Sequence, residues 1–262
     1  MFSTLQAIIL GAVQGLTEFL PVSSSAHLVL IPWFFGWQDP GLAFDVALHL
    51  GTLVALLIYY WRNWIEMVAS IVNGDAARRR LLLLLIVASV PGAIIGLALE
   101  KEAETLFREH ILWIGLALGI LGIALWFIDE YRPNERTIGE LSFLDAIAIG
   151  LSQALAIFPG VSRSGATITM ARLLGVERQD AANFSFLMAT PIIAGAGLIE
   201  ARKILHAGIT AQVGWGFITA VIFGVIAIAG LIRFVKTRTY VPFAWYRVVL
   251  AAVVIAVVIT RA

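Results

Sequence analysis

Cysteine is absent from the 262 residues, and charged side chains are few. Without cysteine the chain has no disulfide and no thiolate metal site. Charged residues make up 13% of it, against about 25% in soluble domains. The net charge of +1 gives no reason to expect a nucleic-acid partner. The first basic residue is Arg62, so we expect no cleavable signal peptide, which would need a basic N-terminal region.

Long apolar runs are abundant instead. Hydrophobic residues make up 60% of the chain, and several runs approach the roughly 20 residues that cross a bilayer. The composition therefore predicts an all-α integral membrane protein. It has two predicted halves, 1–133 and 140–262, each with five apolar segments. These are 4–20, 22–36, 42–61, 81–99 and 111–128, then 143–158, 163–175, 182–199, 214–233 and 244–260.

The two halves begin with related sequences. Residues 5–25 (LQAIILGAVQGLTEFLPVSSS) and 144–164 (LDAIAIGLSQALAIFPGVSRS) are identical at 10 of 21 positions when offset by 139. With three full spans after the first two segments of each half, the second half must be inverted relative to the first. The repeat predicts an inverted-topology membrane protein whose site lies where the halves meet.

The first two segments of each half are short and are interrupted by Ser, Gly and Pro, at 20–25 and 158–165. We interpret each pair as a re-entrant helical hairpin, 4–36 and 143–175. Pro21 and Pro159 disfavour helix at the preceding residue, so the first arms should end near Leu20 and Phe158. Irregular backbone at membrane depth is tolerated only inside protein or beside a wet cavity, so both turns are candidate sites.

Basic residues suggest an orientation. A cytoplasmic loop at 62–80 leaves ten basic residues inside, including Arg62 and Arg247, and four outside: Lys101, Arg108, Arg202 and Lys203. Both termini then face outward. The first hairpin enters from outside and the second from inside, so that the two turns meet near the midplane.

Candidate site residues cluster at the first turn. Gln14 and Glu18 are four apart and share a helix face. A carboxylate in an apolar segment points to function, although it could serve structure alone. His27 follows Ser23, Ser24 and Ser25, and an imidazole can act as acid, base or nucleophile. We expect a Glu18–His27 contact that orients the ring.

The second turn carries a guanidinium among hydroxyls. Arg163 offers a planar fork of donors suited to phosphate, or it could pair with Glu18 to join the halves. Turn amides add donors, and glycine permits close approach of a ligand. The residues expected to surround an anion here are Ser162, Ser164, Thr167 and Gly160. Asp45 and His49 could line a cavity rim or be structural, and His49 is left out of the predicted core site.

This set of groups suits phosphoryl chemistry on a lipid-borne phosphate better than acyl or glycosyl transfer. A secondary transporter or flippase would use Arg163 and the same hydroxyls without hydrolysis. A His27–Glu18 pair favours the enzyme, because binding alone does not need it.

The segments QGLTEFLPVSSSAH at 14–27 and PGVSRSGAT at 159–167 resemble the two signature motifs of bacterial undecaprenyl-diphosphate phosphatases, the bacitracin-resistance family. Segment order and spacing agree over the full length. Glu18, the Ser23–Ser24 pair, His27, Arg163 and Thr167 match motif positions. Gln14 stands where the family has Glu or Gln, so any metal site would have one fewer charged ligand.

The resemblance implies hydrolysis of undecaprenyl diphosphate to undecaprenyl phosphate and inorganic phosphate, which recycles the carrier for peptidoglycan synthesis. It also implies the bacterial plasma membrane, with the site opening to the outer side and a homodimer plausible. Arg163 and its hydroxyl neighbours, with Gln14, Ser23 and Ser25, would bind the diphosphate. His27 would be the nucleophile, or the base for water or Ser24. Glu18 would orient His27 or help to bind Mg²⁺ or Ca²⁺.

Overall fold

The computed structural model describes residues 2–108, 110–208 and 210–261, without the side chains of 100–108 and 201–207. This described part forms ten α-helices and two short 3₁₀ turns, and it contains no β-strand. The helices are α1 Thr4–Phe19, α2 Ser24–Phe35, α3 Leu42–Asn73, α4 Ala76–Arg108, α5 Ile111–Tyr131, α6 Phe143–Ala154, α7 Arg163–Leu173, α8 Arg178–Ala207, α9 Ala211–Val235 and α10 Val241–Arg261.

Six helices in the described ranges are long and apolar enough to cross a membrane: α3, α4, α5, α8, α9 and α10. Large apolar side chains such as Ile120 and Ile226 are exposed on their outer faces. Such faces are unfavourable in water and are accommodated by lipid. The predicted all-α membrane protein with six spans is confirmed.

The segment 62–80, expected to be a loop, is helical except at Gly74 and Asp75. The apolar run ends at Arg62, but arginine is a good helix former and does not end a helix. α3 ends only at Gly74, which caps it with a left-handed φ of 79°. The basic residues expected on the outer side, Lys101, Arg108, Arg202 and Lys203, lie outside the described side chains.

The first helix of each predicted hairpin, α1 and α6, ends close to where proline was expected to end it. α1 ends at Phe19, and Leu20 is extended, with φ −66° and ψ 139°. α6 continues into a 3₁₀ turn, Leu155–Ile157, after which Phe158 is extended. The chain then turns through 20–23 and 158–162 before α2 and α7 begin.

Two glycines let these short helices approach their neighbours closely. α1 packs mainly on α9, and α6 packs on α4. A Cβ added at Gly11 would overlap the carbonyl oxygen of Gly216, and one at Gly150 would overlap that of Ala88. Gly11 and Gly150 are equivalent in the repeat. Small residues permit backbone contact between membrane helices, so each turn is held by a close helix pair.

A buried ionic cluster joins four elements at another part of the protein. Asp129, at the end of α5, accepts hydrogen bonds from Arg172 Nε (2.8 Å), Arg178 Nε (2.8 Å) and the Tyr240 backbone N–H (2.7 Å). Both Asp129 and Arg172 are fully buried. The cluster ties α5 to α7, α8 and the start of α10.

Candidate active site

The two turns share an unusual backbone conformation. Ser23 (φ 75°) and Ser162 (φ 72°), equivalent in the repeat, are the only residues other than glycine with positive φ in the described ranges. Such backbone costs about 1–3 kcal/mol and is concentrated at functional sites. Each serine caps the next helix: Ser23 Oγ accepts from the N–H of Ala26, and Ser162 Oγ accepts from that of Gly165.

Hydrogen bonds lock the turns to each other. Ser23 Oγ accepts from the Gly160 N–H at 3.2 Å. Ser164 Oγ lies 3.1 Å from the carbonyl oxygens of both Glu18 and Leu20. The two equivalent serine-rich segments therefore contact each other, and the structure brings these residues of the two turns together.

Arg247 holds both turns from α10. Its guanidinium donates to Pro21 O (3.2 Å), to Gly160 O and Val161 O (2.9 Å each), and to Leu118 O (3.3 Å). The side chain is fully buried, so its assignment to the cytoplasmic charges was wrong. An arginine inside an apolar run is costly unless it is satisfied by protein, and that signal could have identified it.

Glu18 is the centre of the first turn. Its Oε2 accepts hydrogen bonds from Gln14 Nε2 at 3.0 Å and from Ser24 Oγ at 2.5 Å. Its side chain is 4% exposed, and two basic groups face it: His49 Nε2 lies 3.5 Å from Oε2, and Arg163 Nη1 lies 3.9 Å from Oε1. A short bond to a carboxylate polarises the Ser24 hydroxyl, which makes Ser24 a candidate nucleophile.

His27 does not pair with Glu18, so the expected contact is wrong. Its Nδ1 donates to the Ser23 carbonyl oxygen at 2.7 Å, and its Nε2 lies 2.7 Å from the Tyr246 hydroxyl. The imidazole also stacks on the Tyr246 ring, with centroids 5.7 Å apart. Both ring nitrogens are therefore engaged away from the carboxylate, because α10 supplies a tyrosine that the sequence did not point to.

Arg163 opens α7 and faces a cavity. Its Nη1 makes no hydrogen bond to the described residues, and its side chain is 25% exposed. Thr167 lies further along α7, where its hydroxyl contacts Ser185 Oγ at 2.6 Å and the Arg163 carbonyl at 2.8 Å. Arg163 thus has a donor available for a ligand, whereas the hydroxyl of Thr167 is bonded within the protein.

The cavity has a volume of about 370 Å³ and lies between α2, α3, α4, α6, α7 and α8. Most of its wall is apolar, and its polar and charged lining residues are Ser25, Asp45, His49, Gln153, Arg163 and Glu200. Gln153, the equivalent of Gln14, is buried, and neither amide atom has a hydrogen-bond partner among the described residues. The repeat itself was the signal for Gln153. His49 was noticed as a rim residue but left out of the core.

Protein ligands for a divalent cation are few. No group of three or more His, Asp or Glu side chains that could hold a metal is found in the described part of the chain. Glu18 already faces two basic side chains. One carboxylate suits Mg²⁺ that takes its other ligands from substrate phosphates and water, rather than an ion in an all-protein cage.

The sequence is similar to a known protein family and to several named relatives. A family model described as bacitracin resistance protein BacA matches residues 7–253. An undecaprenyl-diphosphatase of Moorella thermoacetica is 51% identical over 257 residues, which cover 97% of this chain and 98% of the relative. Undecaprenyl-diphosphatases of Desulforudis audaxviator and Pelotomaculum thermopropionicum are 49% and 46% identical, and each alignment covers at least 97% of both chains. These alignments run nearly end to end and include both turns.

Proposed function

The chain belongs to the bacitracin resistance protein BacA family, and from that premise we propose that it hydrolyses undecaprenyl diphosphate to undecaprenyl phosphate and inorganic phosphate. Its similarity to undecaprenyl-diphosphatases extends over almost the whole of each relative. Hydrolysis is therefore favoured over the transporter or flippase that the site alone would allow. The product is the lipid carrier that peptidoglycan synthesis consumes.

The observation that carries the mechanism is the contact between Ser24 Oγ and Glu18 Oε2 at 2.5 Å, beside Arg163. The Glu18 carboxylate accepts the proton of Ser24 as Oγ attacks the terminal phosphorus. The Oγ–P bond forms while the bond from that phosphorus to the bridging oxygen breaks. Undecaprenyl phosphate leaves with the bonding electron pair.

Water completes the reaction. It attacks the phosphorus of the phosphoserine, the Oγ–P bond breaks, and Glu18 returns its proton to Ser24 Oγ. Phosphate leaves with both protons of the water. Arg163 binds the non-bridging oxygens and stabilises the charge that develops on them. Loss of such a preorganised donor lowers turnover by about 10²–10³-fold in well-studied sites.

A phosphate-release assay tests this proposal. Wild-type protein in detergent should release inorganic phosphate from undecaprenyl diphosphate, and Ser24→Ala should lose nearly all of it. Ser89→Ala is a matched control, because the Ser89 hydroxyl only donates to the carbonyl of Leu85 within α4. Activity of Ser24→Ala near the wild-type rate would refute the serine nucleophile. The absence of release from folded wild-type protein would refute the phosphatase itself.

The inverted repeat and the re-entrant hairpins, 4–36 and 143–175, are part of the proposal, as is a site that opens to the outer side. The packing supports the repeat. Helix α1 of the first half packs on α9 of the second half. The equivalent pair, α6 of the second half and α4 of the first, also packs together.

Accessibility labelling tests the orientation. Because the chain has no cysteine, Asp75→Cys and His110→Cys can be labelled singly. An impermeant maleimide applied outside should modify position 110 and not 75. The reverse pattern would refute the orientation.

The cavity also constrains how the lipid binds. A long prenyl chain is far larger than the cavity volume of about 370 Å³, so most of the chain must lie outside the cavity, in the bilayer.

A divalent cation and a dimer are also part of the proposal. Glu18 and the substrate phosphates would hold a Mg²⁺ or Ca²⁺ ion, which would neutralise phosphate charge. We also propose a homodimer, which a measurement of the molar mass of the protein in detergent would test.

A further inference from the structure

Gln153, near the end of α6, is buried beside the cavity without hydrogen bonds. It is 4% exposed, it lines the cavity together with Arg163, and neither Nε2 nor Oε1 has a partner among the described residues. A buried amide without partners is destabilising, so such a group calls for an explanation. We propose that Gln153 binds the substrate phosphate that carries the prenyl chain, by donating a hydrogen bond from Nε2 to one of its oxygens. This inference rests on the proposed function, which supplies the lipid diphosphate.

The repeat shows which partner Gln153 lacks. Its equivalent, Gln14, donates from Nε2 to Glu18 Oε2 at 3.0 Å. In the second half the position equivalent to Glu18 is Ile157, which also lines the cavity but has no side-chain acceptor. The same amide therefore has a carboxylate beside it in one half and the cavity beside it in the other. An anionic ligand would supply the oxygen that Glu18 supplies in the first half.

The second turn offers another donor to the same ligand. Arg163 occupies the position equivalent to Ser24, and its Nη1 makes no hydrogen bond to the described residues. The acidic residues that line the cavity, Asp45 and Glu200, belong to α3 and α8. The second turn and the helix before it thus contribute an amide and a guanidinium, and phosphate oxygens accept hydrogen bonds from both.

The position of Gln153 distinguishes between the two phosphates of the substrate. The terminal phosphorus is proposed to react at Ser24, whose Oγ bonds to Glu18, and Arg163 Nη1 lies 3.9 Å from Glu18 Oε1. Gln153 lies against α4 instead, since a Cβ added at Gly92 would be 2.2 Å from its Nε2.

The cavity wall that continues along α4 is apolar and suits a prenyl chain. Ala93 and Leu97 follow Gly92 in this wall. A phosphate that carries the prenyl chain would therefore lie between Arg163 and α4, beside Gln153. This phosphate is the leaving group, and it takes the electron pair when the bond from the terminal phosphorus to the bridging oxygen breaks. An amide donor placed there stabilises the charge as it develops.

The first test replaces Gln153 with methionine, which has a similar length and no strong donor or acceptor. The value of kcat/KM for phosphate release from undecaprenyl diphosphate should fall by about 10–100-fold, because hydrogen bonds to charged groups are strong. The Tm of the substrate-free protein should stay or rise, because an unpartnered buried amide is removed. A glutamine with only a structural role would give a lower Tm. Gln38→Met, in the exposed loop after α2, should change neither quantity.

Gly92→Ala gives an independent test through the position of the amide. The added Cβ would displace Nε2, which is the far end of a flexible side chain, so the variant should fold while kcat/KM falls. Gly96→Ala lies on the same helix with no atom near the added Cβ and should keep the wild-type rate. In a Gln153→Ala background, Gly92→Ala should change the remaining rate by less than about twofold, because the two changes act through one group.

Two inhibitors identify the phosphate that Gln153 binds. Undecaprenyl phosphate retains the phosphate next to the prenyl chain, and inorganic phosphate represents the one that is released. In Gln153→Met the inhibition constant of undecaprenyl phosphate should rise by a factor similar to the loss in kcat/KM. The inhibition constant of inorganic phosphate should stay unchanged. A rise for inorganic phosphate alone would overturn the assignment to the phosphate that carries the prenyl chain.

The outcomes separate this inference from the proposed function. An active wild-type protein beside a folded Gln153→Met variant with unchanged kcat/KM and unchanged inhibition would overturn this inference alone. If folded wild-type protein releases no phosphate, the proposed function is overturned, and the rise in Tm on adding undecaprenyl phosphate then tests Gln153. A smaller rise in Gln153→Met would support the amide contact, and an equal rise would refute it. Gln153→Leu replaces Gln153→Met if the latter gives no folded protein.

Discussion

Replacing Arg247 with methionine should destabilise the protein more than any ordinary surface substitution. The buried guanidinium donates to four carbonyl oxygens, three of them in the two turns. Hydrogen bonds from a charged donor contribute about 1.5–3 kcal/mol each. Removing the buried charge returns several kcal/mol of desolvation energy. We expect a net loss of about 3–5 kcal/mol, because the four lost hydrogen bonds, together worth roughly 6–12 kcal/mol, outweigh the desolvation energy that is recovered.

Thermal unfolding in detergent, followed by tryptophan fluorescence, measures this loss. For a chain of this size, about 3–5 kcal/mol lowers Tm by roughly 10 °C. Arg247→Lys keeps the charge but loses the planar fork, so it should fall between the wild type and Arg247→Met. Arg238→Met removes an exposed arginine and should change Tm by only a degree or two. If Arg247→Met matched Arg238→Met, the turns would not depend on this residue.

Three further changes test the packing and the ion requirement. Gly150→Ala should destabilise the protein by about 1–3 kcal/mol, because the added methyl group would overlap α4. Gly96→Ala is the control, since no atom lies near a Cβ added at that position, and it should leave the stability unchanged. Equal Tm values for the two variants would contradict the close packing. Asp129→Asn should cost about 3–5 kcal/mol because it leaves Arg172 and Arg178 without their carboxylate, and the exposed Glu130→Gln variant is its control for thermal unfolding. EDTA should lower phosphate release and added Mg²⁺ or Ca²⁺ should restore it; an unaffected rate would speak against an ion held by Glu18 and the substrate.

The helices were predictable where local signals decide them. The ends of α1 and of the turn after α6 follow from Pro21 and Pro159, because proline restricts the residue before it. The extension of α3 beyond Arg62 was missed, because the end of an apolar run marks the membrane boundary and not the end of the helix. Only the glycine at position 74 ends the helix itself.

The candidate site was predictable in part, because local motifs mark the two turns but not the side chains that reach them from other helices. The repeat and the motifs bring Glu18, Ser24 and Arg163 to one place, since they mark equivalent turns. The partners of these residues depend on helices distant in sequence. His49 comes from α3, while Tyr246 and Arg247 come from α10, and no local pattern shows which of their faces points inward. The Glu18–His27 contact was wrong because closeness along a turn does not fix side-chain direction.

The matched turns show what joining two copies in one chain makes possible. At equivalent positions the first copy carries Glu18, Ser24 and His27, and the second carries Ile157, Arg163 and Ala166. In an assembly of two identical chains every substitution would appear twice, so an arginine gained at one turn would remove the serine from both. Covalent fusion lifts that constraint. One copy can specialise in the proposed nucleophile and its base, the other in binding the anion, while Ser23 and Ser162 keep the backbone of the two turns alike.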